Sequence, residues 1–129
     1  MPFDNPYQTP FGDVEILTDA RNRISDQNAW VQGRFQDRGR HCLVAALSLA
    51  CGSRSVSLPN RTEKRLARVL ARQLRPGTRF FWHKVPLIPA RQHLMWFNDD
   101  SRTRHDDVMA LFDRAICNLT IKVPACTAG

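Results

Sequence analysis

The sequence predicts a single small all-α domain of four or five helices around one central apolar helix, with a short extended aromatic segment at 79–88. Three observations lead there. The run from Cys42 to Cys51 carries no charge and is followed by Gly52, where a left-handed C-terminal cap belongs. Apolar residues on either side of it recur at three- and four-residue steps, the period of a helix face. A chain of 129 residues has room for one hydrophobic core and no second.

Taken in order, residues 1–12 contain three prolines and no apolar period, which predicts an extended N-terminal arm ahead of a helical domain over 13–119. Asp13 is expected to cap the first helix, whose inward face is Val14, Leu17, Ala20 and Ile24 and which ends near Asn28. Trp30 is expected to plug the space between the first two helices. Arg34 to Arg40, with Gly33 and Gly39, reads as a loop or tight hairpin. Cys42–Cys51 could be a buried strand by hydropathy alone, but three alanines and one β-branched residue favour helix. Asn60 with Glu63 resembles a capping box opening a third helix that runs to about Arg75, where Pro76-Gly77 stops it. Its inward stripe is Leu66, Val69, Leu70 and Leu74. Two prolines in the aromatic stretch that follows limit it to an edge-like extended segment. A short helix over Ala90–Phe97 is expected to point Leu94, Met95 and Phe97 at the core. Thr103 is expected to cap a last helix with Val108, Leu111, Phe112, Ala115 and Ile116 buried, before a tail at 120–129.

Several function classes are disfavoured on composition and spacing. No uncharged run reaches membrane-spanning length, and the N-terminus lacks the basic start and apolar stretch of a signal peptide, so a cytoplasmic location is expected. Cys42, Cys51, Cys117 and Cys126 form no CxxC pair and are expected to be reduced thiols. The histidines and cysteines lack the short paired spacings of a zinc site, and there is neither a glycine-rich phosphate loop nor a GxSxG motif, so no metal or cofactor is expected.

Trp30-x-Gln32-Gly33, then Cys42-Leu43-Val44-Ala45-Ala46-Leu47 closing at Gly52, then Asn98-Asp99 with Arg102-Thr103 ahead of Val108-x-Ala110-Leu111-Phe112-Asp113-Arg114-Ala115-Ile116, is similar to an uncharacterised family of small bacterial and phage proteins classed only as a domain of unknown function. The resemblance covers residues 14–118 or so. Members usually carry Gly at the place of Ala45, and 53–95 matches little, so the basic third helix is a feature of this chain. The resemblance implies a small, mostly helical domain and no particular activity or cofactor. It singles out Trp30, Gln32, Cys42, Asn98 and Asp99.

Two function classes remain. The first is a binding or regulatory module. Arg61, Lys64, Arg65, Arg68, Arg72 and Arg75 follow steps of three and four and form a basic stripe roughly 20 Å long at 1.5 Å per residue. Residues 61–75 hold these six cations and one acid, Glu63, a net of +5 out of the chain's +7. Nucleic acid or an acidic protein would match that face, unless it is simply solvated or is neutralised by acids such as Asp99, Asp100, Asp106 and Asp107. The second class is a cysteine-dependent enzyme of unknown substrate, with Cys42 at a helix start, where the dipole lowers a thiol pKa, and Asn98 as orienter. It lacks an evident base, and the same residues read equally as a core thiol and a turn-forming Asn-Asp pair. Gln32 and Asp99 are candidates to face a ligand, Gln32 alternatively satisfying loop backbone groups.

Overall fold

The computed structural model describes residues 10–74 and 89–120. Within them lie five helices, α1 (Pro10–Arg23), α2 (Leu43–Ala50), α3 (Arg61–Ala71), α4 (Ala90–Asp99) and α5 (His105–Thr120), with a 3-10 turn at Gln27–Ala29 and a hairpin of β1 (Gln36–Asp37) and β2 (Arg40–His41). The arm at 1–9, Arg75, the aromatic segment at 79–88, Cys126 and the tail from 121 lie outside the described residues.

The uncharged run makes α2 as expected, and both ends are held by specific bonds. Cys42 is the N-cap, its Sγ accepting from the Ala45 amide at 3.3 Å. At the other end Gly52 has φ 71°, its amide donates to Leu49 O and that of Ser53 to Ser48 O, which is the Schellman closure. Every residue from Leu43 to Ser48 is buried. α1 lies on α2 and α5, α3 lies on α4, and α2 also touches α3 and α4. Leu17, Leu43, Leu47, Leu66, Leu94 and Phe112 are wholly buried where these helices meet, each side chain contributing about 1.5–3 kcal/mol through burial.

Several helix ends differ from the sequence expectations, and at α1 a long-range partner takes the side chain expected to cap. α1 starts at Pro10, a residue suited to a first helical position, so Asp13 sits inside the first turn and its Oδ2 meets Arg65 Nη1 at 2.5 Å instead of capping. α1 also stops at Arg23, short of Asn28; Asp26 then caps the separate 3-10 turn through the Asn28 amide at 2.9 Å. Asn60 caps α3 through the Glu63 amide at 2.8 Å, but the return half of the box runs through a third residue. Ser53 Oγ accepts from the Asn60 amide at 3.3 Å and donates to Glu63 Oε1 at 2.7 Å. α4 continues through Asn98 and Asp99, where a break was expected. α5 begins at His105, two residues past the expected Thr103 cap, and its first turn is closed by Asp107 Oδ2 accepting from the Arg104 amide at 2.9 Å.

Cys42 and Cys51 are free thiols, whereas Cys117 is disulfide-bonded, which corrects the expectation of four reduced cysteines.

Candidate functional site

Two regions hold the residues singled out by sequence. The first is a polar corner where the loop after α1 meets the C-terminal end of α4. Asn98, fully buried, uses its whole amide there. Its Oδ1 accepts from Trp30 Nε1 at 2.7 Å and from the Leu43 amide, one of the unpaired donors opening α2, at 3.1 Å. Its Nδ2 donates to Val31 O at 3.1 Å and to Asp99 Oδ1 at 2.9 Å. Gln32 Nε2 donates to the carbonyls of Asn98 and Asp100, both at 2.8 Å and both released where α4 ends, with Thr103 O ahead of α5 at 3.2 Å. Asp99 Oδ1 also accepts from the amide of Gly33, whose φ of 82° lets the loop turn toward it. Trp30 is half-buried, leaning on the His105 ring at a centroid distance of 5.7 Å. It packs against the core and bridges to α4 and α5.

The structure therefore brings Trp30, Gln32, Asn98 and Asp99 together, with Cys42 one residue from the Leu43 amide that Asn98 holds. Gln32 serves backbone carbonyls, the structural one of its two readings. Cys42 is 3% exposed, and burial, which outweighs its backbone bonds, raises its thiol pKa from the usual value. That is the opposite of the lowered pKa a helix start was expected to give. Asn98 has no free amide atom with which to orient a base, and the His41 side chain makes no hydrogen bond to the Cys42 thiol among the described residues.

The second region is the outer face of α3. Arg61, Lys64, Arg68 and Arg72 are exposed, whereas Arg65 is half-buried and bound to Asp13. Arg61, Lys64 and Arg68 form no ion pair among the described residues. The four acids that could have neutralised this face sit elsewhere. Asp99 and Asp100 belong to the corner, Asp100 accepting from Arg102 at 3.0 Å, and Asp106 and Asp107 lie in the first turn of α5. Asp19, Asp37 and Asp113 are likewise taken, by Arg23, Arg40 and Arg21.

Sequence reasoning missed the group that seats α3 under this face. Glu63 is fully buried between Ser53 and Arg91, whose Nε lies 3.7 Å from Glu63 Oε2. Arg91 also donates to Val56 O, tying the loop before α3 to the start of α4. Only the Asn60–Glu63 spacing hinted at it. His93, also fully buried on α4, gave no signal.

The fold and these two regions define a small helical domain with a tightly bonded polar corner and a basic outer helix. Residues 9–118 match the model of a family of unknown function, DUF6197, and the chain belongs to that family. No curated protein and no solved structure matches it. Among the described residues no helix is long and apolar enough to cross a membrane.

Proposed function

We propose that the chain is a binding module, open to a regulatory use, that docks on a polyanion through the outer face of α3, with nucleic acid as the partner. The observation that carries this is the exposed line of Arg61, Lys64 and Arg68, which form no ion pair among the described residues, on a helix whose other face is fixed in the core. Like charges at Lys64 and Arg68 and at Arg68 and Arg72 stand at i, i+4 spacing, which destabilises a helix by a few tenths of a kcal/mol per pair. Phosphates relieve that repulsion. From Arg61 to Arg72 the line spans roughly 16 Å at 1.5 Å per residue, so several phosphates of one strand come within reach. Guanidinium and ammonium groups spread along a ridge position a backbone without reading bases, so binding is weakly sequence-specific.

The test is fluorescence anisotropy with labelled duplex and single-stranded oligonucleotides at about 50 mM salt and micromolar protein, the range where phosphate contacts are strong. Binding that weakens strongly, with a shallower salt dependence, in a variant with Arg61, Lys64 and Arg68 all changed to Gln is the expected outcome. Absence of binding to either form by the unchanged protein eliminates nucleic acid as the partner, and an acidic protein would then be the next to assay.

A further inference from the structure

The loop that leads into α3 is pinned to the first turn of that helix. Ser53 Oγ accepts from the Asn60 amide at 3.3 Å and donates to Glu63 Oε1 at 2.7 Å, and Asn60 Nδ2 donates to Cys51 O at 2.9 Å. Between these ends the chain folds back on itself, the Leu58 amide donating to Ser55 O at 3.1 Å, and Arg91 of α4 holds Val56 O. The loop is thus fixed at its ends and at its tip. Arg54 is the residue after Ser53 and Arg61 the residue after Asn60, each about 3.8 Å further along the backbone. Both arginines therefore leave the same clasp.

Charge is distributed unevenly around that clasp. Residues 52–62 contain Arg54 and Arg61 and no Asp or Glu. Both arginines are exposed and form no ion pair among the described residues. The two acids bonded at the start of α3 are buried, Glu63 between Ser53 and Arg91 and Asp13 against Arg65. Each is compensated inside the fold, so neither offsets the exposed guanidinium groups, and the positive end of the α3 dipole adds to them. The same loop exposes Ser55 and Ser57, whose Oγ atoms lie 3.0 Å apart. Arginines and serine hydroxyls are ordinary partners of phosphate oxygens.

We infer that Arg54 extends the α3 face onto this loop and gives the nucleic acid a phosphate contact beyond Arg61, an inference that rests on the reading of α3 above. Ser53, Asn60 and Glu63 act as positioning residues for it. Duplex affinity across a salt series tests this in the full chain, with Arg54→Gln, Arg54→Lys and, as a control, Arg38→Gln. Arg38 is also exposed, but its hairpin joins the start of α2, where the Cys42 amide donates to Phe35 O at 2.9 Å, whereas Arg54 follows the end of that eight-residue helix. The helix separates them by roughly 12 Å, more than a Debye length at 0.1 M salt.

Arg54→Gln is expected to weaken affinity about threefold to tenfold at 0.1 M salt and to flatten the log affinity against log salt slope by about 0.9. Its Tm should stay within about 3 °C of the unchanged chain, as for other surface substitutions. Arg54→Lys should keep the slope, because it keeps the charge, and Arg38→Gln should leave slope and affinity unchanged. If Arg54→Gln binds as the unchanged chain does while the variant with Arg61, Lys64 and Arg68 changed to Gln is weakened, the loop contact is overturned and the α3 reading stands. Equal flattening by Arg38→Gln also overturns the loop contact, since net charge and not position would then govern binding. Weakening by Arg54→Gln with none in the α3 variant overturns the α3 reading, and no duplex binding by the unchanged chain removes both.

Discussion

The Trp30–Asn98 corner and the outer face of α3 treat polar groups in opposite ways. In the corner each amide and carboxylate found by sequence is turned on the chain's own groups: Asn98 serves the side chains of Trp30 and Asp99 and the backbone of Leu43 and Val31, and Gln32 closes the end of α4. On α3 Arg61, Lys64, Arg68 and Arg72 face outward, and the first three form no ion pair among the described residues. The contrast separates two meanings of a polar residue that stands out in a sequence. One kind is needed to terminate helices and join loops in a small domain, where an unpaired buried group costs about 1–3 kcal/mol. The other kind sits at the surface, where it keeps its contact with solvent.

The contrast breaks most readily at Asn98. Asn98→Ala strands Trp30 Nε1, the Leu43 amide and Val31 O together, and it should lower unfolding free energy by about 3–5 kcal/mol in urea titrations. A loss below about 1 kcal/mol would mean the corner is not structural and would reopen it as a ligand site.

A second test uses pH. Burial, followed by the nearby Glu63, pushes the Cys51 thiol from 9.0 up to about 12. A thiol whose folded pKa is raised supports the fold fully below its unfolded value and loses that support as pH rises through the folded one. The unchanged protein should therefore weaken between pH 9 and 12 more steeply than Cys51→Ala, measured as Tm against pH. Parallel curves would show that Cys51 is not desolvated in the folded chain.

Cys42→Ser sharpens the comparison with a smaller effect. The buried hydroxyl opposes folding, but serine is a preferred N-cap and can accept from the Ala45 amide where sulfur now does, so the net change should stay within about 1 kcal/mol. Iodoacetamide at neutral pH should modify Cys42 only after unfolding. Rapid labelling of the folded protein would return Cys42 to candidacy as a nucleophile.

What the sequence made legible was local. The uncharged run with Gly52 behind it can hardly be anything but the central helix, and Arg61 to Arg72 at steps of three and four must share a face. The capping of α1 and α5 was not legible, because Asp13 is drawn to Arg65 and because Asp107 closes the turn that Thr103 was expected to cap. The role of Asn98 was hidden for a related reason. Its partners Leu43, Val31 and Trp30 lie 55, 67 and 68 residues away, and no spacing rule connects them. Family resemblance marked Trp30, Gln32, Asn98 and Asp99 without saying that they bond to one another.

The central claim is that α3 faces outward for a partner and contributes nothing to the fold on that side. It is tested most directly by measuring duplex affinity across a salt series for the unchanged chain and for the variant with Arg61, Lys64 and Arg68 changed to Gln, with the stability of both proteins measured in parallel. The account predicts unfolding free energies that agree within about 0.5 kcal/mol. It also predicts a log affinity against log salt slope that is shallower in the variant by about 2.7, or 0.9 for each lost phosphate contact. Equal slopes, or a variant that loses stability along with affinity, would contradict it.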